Sequence, residues 1–544
     1  MKVRQRIVRP QVCAIAALVA AALMIVPTRA QEDASAAAEY WPDAVRILEQ
    51  STFGPTPGEI QHVQDVGSDQ YWIEQLNAPM AAYPDLPPMP STRPTDCTGT
   101  CSRDNYSMYP LQVHFFNNAR TGHDQLRQRV AFALQQIFVV SAVSSKVTLP
   151  SWMGPYQQLL YADALGNFRQ LLGDVTRNAA MGSYLNVLNN KKFNATTGIK
   201  PNENYARELL QLFSIGLVML NPDGSTQLGG DGKSIPTYDQ TTVEEFARVY
   251  TGWVLAPAFA TGVPNYHDPM VPRDTDHDRG TKHLLNGFVI NSGGTTQRDL
   301  DAALDNVFNH PNVGPFIAKQ LIQHLVTSNP SPAYVARVAA VFNANEHGER
   351  GNLASVVHQI LYDDESRGDV HDEPSYGHLL EPVLFVTRLL RAFNAASDGV
   401  LASYTASMGQ DVFKAPSVFS FYPPGYRIVG GNGLLGPEFR LFDPASAFAR
   451  INFVNTLVFN GIQPSLPDRP QGTSLDLTAY VPLASNPDAL IASLNGLLLH
   501  RTMSAQMHDA IATAVRAVAA TNPLQRVKTA VYLVASSSQY QVTR

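Results

Sequence analysis

The residues best suited to chemistry gather in three short stretches. The first is Lys200-Pro201-Asn202-Glu203-Asn204-Tyr205-Ala206-Arg207-Glu208. On a helix Glu203 and Arg207, four apart, share a face, whereas Glu208 lies about 140° round from Glu203. A carboxylate in a first turn is held ionised by the helix dipole, which suits a base or a ligand better than a general acid. The second stretch is Tyr238-Asp239-Gln240 and the segment from Thr242 to Trp253, which carries Glu244, Glu245 and Arg248. Asp239 with Glu203 or Glu208 would supply the two carboxylates of a glycoside-cleaving site, and Tyr250 and Trp253 the faces for a sugar ring. The third is His267-Asp268, then Asp274-Thr275-Asp276-His277-Asp278-Arg279-Gly280-Thr281-Lys282. Asp274, Asp276 and Asp278 at alternate positions resemble a calcium loop, or with His267 and His277 a site for another divalent metal. The match is poor, because the turn glycine is displaced to Gly280 and Leu285 stands where an acidic ligand should close the loop. Each stretch also has a plain structural alternative: an ion pair locking helices, a loop brace beside core aromatics, and a hydrogen-bonded loop.

Several common chemistries leave signatures that are absent here. There is no Gly-x-Ser-x-Gly elbow, no His-Glu-x-x-His helix, no P-loop and no Cys-x-x-Cys-His. Gly430-Gly431-Asn432-Gly433 is not followed by a helix pattern, which argues against a dinucleotide site. Forty basic residues against 46 acidic ones, without basic clusters, exclude a nucleic-acid binder that works by neutralising phosphates. A charged fraction of 16% excludes a disordered polyelectrolyte.

The elements that must position these residues read as helices. Val130, Ala133, Leu134, Ile137 and Phe138 form an apolar stripe with Arg127 and Arg129 placed off it. Ala206, Leu209, Leu210, Phe213 and Leu217 repeat the spacing, and further stripes begin at Leu300, Phe316, Val335, Val356, Leu380 and Val527. Thr241-Thr242-Val243-Glu244 reads as a capping box, and Asn202 as a cap for the helix through Arg207. Strand alternation is scarce, with short extended pieces expected only at 282–291 and 429–436. Long loops are expected at 85–103, 220–239, 256–281, 403–436 and 463–488. The expected fold is therefore mainly α: residues 31–544 as one large multi-helix bundle or array, with long irregular loops and few short strands.

Residues 1–30 are a different kind of text. Lys2, Arg4, Arg6 and Arg9 precede an apolar run at 12–26, and Ala30 offers a small residue before Gln31. This is the layout of a general secretory signal peptide, too short in its apolar run to span a bilayer. Its removal would leave only Cys97 and Cys101, and an even pair in an exported chain is most simply a disulfide. The protein is accordingly expected to be soluble and periplasmic or secreted.

Several motifs recur in a recognisable order. Phe53-Gly54-Pro55-Thr56 follows Arg46-Ile47-Leu48-Glu49-Gln50-Ser51-Thr52; Arg127-Gln128-Arg129-Val130 comes next, then Asn202-Glu203-Asn204-Tyr205-Ala206-Arg207-Glu208-Leu209. Thr251-Gly252-Trp253, His277-Asp278-Arg279-Gly280-Thr281-Lys282, His310-Pro311-Asn312-Val313, Arg350-Gly351-Asn352-Leu353 and Ala415-Pro416-Ser417-Val418-Phe419 complete the series. Over about residues 41–544 the chain resembles an exported bacterial family catalogued as domain of unknown function 1800. The resemblance implies a mostly helical protein and a partner similar to exported sulfatases and phosphatases, encoded nearby. It supplies no catalytic residue.

Two functions from different classes are expected to compete. One is a hydrolase of an extracellular or periplasmic polymer such as a glycan, with Glu203, Glu208 and Asp239 as acid and base. Arg207, Trp253, His277, Asp278 and Lys282 would then hold the substrate in one cleft. The other is a non-catalytic envelope binding or assembly protein that works with the co-exported partner.

Overall fold

The computed structural model describes residues 41–368, 373 and 375–543. The expected signal segment at 1–30 lies outside them. About 51% of the described residues are helical, and the strands are two to five residues long, paired in two-stranded ladders. The mainly α class read from apolar spacing is therefore the observed one.

Helix Gln125–Ile137 lies at the centre of the first half. It packs against Trp41–Ser51, Ser68–Asn77, Tyr109–Thr121, Pro150–Asp163 and Val313–Leu325. Contact on so many sides explains why nearly every position of this helix is buried, Arg129 included. The expectation that Arg129 lies off the buried stripe is corrected: it has no solvent exposure, because a helix surrounded by others has no water-facing side. Val313–Leu325, Pro332–Asn343 and Leu353–Tyr362 form a three-helix layer, joined by Ser331 and Asn352 acting as N-caps. Toward the C-terminus Pro444–Phe459, Pro487–Leu499 and Ala505–Ala517 pack with Pro523–Ala535. One connected cluster of buried apolar side chains runs from Ala44 to Tyr540.

Two glycine motifs record close approaches. Gly54 has φ +121°, and a Cβ there would sit 2.5 Å from the Arg388 Cα. That approach brings Arg388 against Glu49, whose carboxylate also meets His500 at 2.5 Å. Burial alone would raise the Glu49 pKa, but Arg388, His500 and Arg46 together hold it below the usual range. At Gly280 a Cβ would meet the Arg248 guanidinium at 2.6 Å, so only glycine lets that arginine close on Asp278.

Some local readings change. The expected box at Thr241–Glu244 is replaced by Asp239, which caps helix Gln240–Val249 by accepting the Thr242 N–H at 2.8 Å. Asn202 accepts the Asn204 N–H at 3.0 Å, just ahead of helix Asn204–Glu208. That helix continues as a π-helix, Leu209–Ser214, and stops there, so Leu217 falls outside the stripe and is 55% exposed. The 282–291 hairpin forms, with Lys282–His283 pairing antiparallel to Val289–Ile290. Cys97 and Cys101 are joined, their Cα atoms 5.2 Å apart.

Candidate functional site

The residues singled out by sequence do not share one cleft. Glu203 pairs with Arg207 at 2.9 Å, and Gln240 bridges them by donating to Glu203 and accepting from Arg207. Asp239, exposed, is occupied by the backbone and hydroxyl of Thr242, which hold its pKa down. Glu208 faces away from Glu203, half-buried near Tyr184 and Tyr238; burial raises its pKa and its Oε2 has no hydrogen-bond partner. At the other end of helix Gln240–Val249, about 12 Å along at 1.5 Å per residue, Arg248 binds Glu245 at 2.7 Å and Asp278 at 3.0 Å.

His277 and Lys282 lie deeper. Both are fully buried, each reaching Asp299 Oδ2, at 3.1 Å and 2.7 Å. Lys282 also donates to the carbonyls of Asp278 and Gly280, so the His-Asp-x-Gly-x-Lys motif wraps a loop around its own lysine. The expected role of His277 and Lys282 in holding substrate is corrected on this point, since no solvent reaches either side chain. Trp253 is 1% exposed and packed in the core, so it offers no open face to a sugar. The calcium-like loop is corrected as well. Asp274 accepts the Thr296 N–H, Asp276 pairs with Arg273, and Asp278 pairs with Arg248, so the three carboxylates serve three different partners. Among the described residues no group of three or more His, Cys, Asp or Glu side chains is placed to hold a metal ion.

Convergent unpartnered groups occur instead in a cavity of about 280 Å³, which the sequence reading passed over. Helix Val313–Leu325 supplies Phe316, Gln320 and His324 at four-residue spacing, hence on one face. The π-helix contributes Gln211 and Leu212, and a single wide turn of this kind is frequent at functional sites. Val418, Phe419 and Tyr422 come from the Ala415–Phe419 motif and its continuation, and Glu438 from the 3₁₀ turn Pro437–Leu441. The walls are mainly apolar and the polar groups few, the usual make-up of a small-molecule site.

The chemistry at the cavity depends on what each polar group already holds. Gln320 Nε2 is buried without an acceptor. The His324 ring makes no hydrogen bond within the protein, and burial, with Arg129 and His378 nearby, pushes its pKa down to about 3. It therefore stays neutral across the physiological range, with one N–H to donate. Glu438 is held only loosely, by Ser328 Oγ and His378 Nδ1, each at 3.4 Å. Tyr422 donates its hydroxyl to Glu381 at 2.9 Å, leaving the phenol oxygen as an acceptor.

Behind the cavity lies a network that fixes these positions. Glu381, 2% exposed at the head of helix Pro382–Ala392, accepts from Gln410, Gln136 and Tyr422. Burial raises its pKa, outweighing Arg129 beside it. Arg129 in turn donates to the His324 carbonyl in the last turn of helix Val313–Leu325, where a cation suits the helix dipole. A buried titratable group with a shifted pKa behind a cavity is a physical marker of a functional site. The signal in the sequence was a lone Glu381 opening an otherwise apolar run, and Arg129 inside a helix that turns out to have no polar face.

Among curated proteins and among solved structures, no match is found. The family model described as a protein of unknown function, DUF1800, matches residues 46–542, and the chain belongs to that family.

Proposed function

We propose that the protein is an exported hydrolase of ester or amide bonds, with its reaction centre in the cavity between Gln320, His324, Tyr422 and Glu438. The observation that carries this reading is the pair of unpartnered groups, Gln320 Nε2 and the neutral His324 ring, lining the same cavity as the Glu438 carboxylate. Glu438 takes a proton from water while the water oxygen bonds to the carbonyl carbon. The carbonyl oxygen, now negative, is met by the Gln320 and His324 N–H groups, which act without being charged themselves. When the carbon–heteroatom bond breaks, the leaving group takes the proton back from Glu438. Tyr422 orients the water through its phenol oxygen, and Glu381 and Arg129 act as positioning residues. An acylated polymer outside the cytoplasm, its acyl group in the apolar cavity, is the substrate class of this reading.

The test is hydrolysis of p-nitrophenyl esters and anilides of short acyl chains by the purified protein. Glu438→Gln should lower kcat by about 10²–10⁴, and Gln320→Leu by about tenfold or more. Full activity in Glu438→Gln would end this assignment.

The second reading, an envelope protein that binds the sulfatase-like partner, is favoured by one observation. Leu217 and Phe419, 55% and 47% exposed, are apolar side chains at the same cavity. It requires co-purification with that partner to be lost in Leu217→Asp and Phe419→Asp, with no hydrolysis in the parent chain.

A further inference from the structure

A separate cavity of about 510 Å³ opens among the start of helix Pro150–Asp163, the extended segment 83–88 and the hairpin Ala256–Ala260 with Val263–Asn265. It shares no lining residue with the cavity at Glu438. Trp152 and Tyr266 line it as a stacked pair, ring centroids 4.2 Å apart and planes 11° from parallel. Phe259, on the hairpin, is 50% exposed. Five prolines stiffen the walls, which preorganises the space before anything enters it.

Some of the polar groups around this cavity lack partners. Trp152 Nε1 and Ser151 Oγ have no hydrogen-bond partner, in residues 7% and 9% exposed. Neither atom is open to solvent, so both stay behind the wall and offer nothing to a ligand. Asp85 and Asp268 also line the cavity. Asp268 already accepts from Asn265 Nδ2 at 2.8 Å and pairs with His267 at 3.2 Å, whereas Asp85 makes no such contact among the described residues. An ionised carboxylate only accepts, so Asp85 and the remaining Asp268 lone pairs call for donors. No Lys or Arg is among the lining residues, so an anionic ligand would meet two like charges and no counter-charge. A hydroxyl group donates, and a ring of hydroxyls with C–H faces meets this demand while covering an aromatic ring. A peptide would answer the aromatic and proline walls, but Asp85 would then be matched best by a basic side chain.

We infer that this cavity binds an uncharged saccharide unit, as a recognition site distinct from the one at Glu438. The volume lies within the range of small-ligand pockets, about 300–1,000 Å³. The site supplies the two things such a ligand needs: an exposed aromatic ring and acceptor carboxylates. Binding here would hold a glycan to the protein whether or not the other cavity is catalytic.

Isothermal titration calorimetry with cellotriose and chitotriose, alongside Trp fluorescence, tests the inference. At least one of the two should bind with a Kd of about 1 mM or tighter. Phe259→Ala and Asp268→Asn, both at exposed positions that leave the core intact, should each weaken binding about tenfold. Tri-galacturonate should bind at least about tenfold more weakly than the neutral sugars. Glu438→Gln should leave saccharide binding unchanged, so this site and the hydrolytic reading fail separately. The inference is overturned if neither neutral trisaccharide binds, if both variants bind as the parent does, or if a Lys- and Pro-containing peptide binds while the sugars do not.

Discussion

Lys282, Asp299 and His277 illustrate how far burial changes what a charged side chain is for. Each is 0% exposed, and the lysine and imidazole reach the same carboxylate oxygen. Breaking such a group leaves an unpaired charge in the interior, which costs far more than an exposed ion pair contributes. Lys282→Met should therefore lower stability by about 3–5 kcal/mol, read from the urea midpoint, with the hydrolysis proposed for the cavity at Glu438 unchanged in the folded fraction. Asp163 makes the opposite case. Burial, with Asp174 beside it, raises its pKa to about 7, well above its value in an unfolded chain. An acid whose folded pKa is raised costs stability as pH climbs from the unfolded value through the folded one, and costs nothing below both. Asp163→Asn should thus stabilise the protein at pH 8 by about 1–2 kcal/mol, less than the full shift because the interior relaxes around a buried charge. At pH 4 the same substitution should be near neutral, as parallel denaturation curves would show.

Among the elements, helix Gln240–Val249 separates two roles that the sequence alone leaves merged. Asp239 begins it by satisfying a free N–H, and a cap of this kind is worth about 1 kcal/mol. Asp239→Ala should cost about that much stability and leave the hydrolysis proposed for the cavity at Glu438 intact. Loss of activity at full stability would restore the catalytic role first expected of it. The π-helix Leu209–Ser214 acts at the same scale. By widening the turn after Glu208 it directs Gln211 and Leu212 to the cavity and releases Leu217 from the buried stripe. Helix Val313–Leu325 contributes through simple periodicity, since Phe316, Gln320 and His324 reach one cavity because they are four residues apart.

For the molecule as a whole, stability rests on the continuous apolar core rather than on its covalent clip. Cys97 and Cys101 are four positions apart, the second in the short helix Thr100–Asn105. A loop so short restricts the unfolded chain little, so replacing both by Ser should cost no more than about 2 kcal/mol, and reductant should shift the melting curve of the parent by the same small amount. No helix among the described residues is long and apolar enough to cross a membrane. The two cavities draw on different parts of the chain, one on helices Gln125–Ile137 and Val313–Leu325, the other on Pro150–Asp163 and the 256–265 hairpin. A ligand could therefore be held at one while chemistry occurs at the other.

Helix spacing, the scarcity of strands, the cysteine pair and the family motifs were all legible in the residues. These features are local: they follow from apolar side chains repeating every three or four positions, or from a few neighbours in line. What the sequence could not disclose was which charged side chains keep contact with water. His277 and Lys282 look like a polar surface motif, yet helix Thr296–Phe308 brings Asp299 against them and encloses all three. Glu381, Glu438, His324 and Arg129 are scattered over some three hundred positions and share no spacing. They meet only because the packed elements bring them together, and burial then raises the pKa of Glu381 and lowers that of His324. Periodicity along a chain reports which face of an element is apolar; it carries no information about which elements become neighbours, and that was decided by the tertiary fold alone.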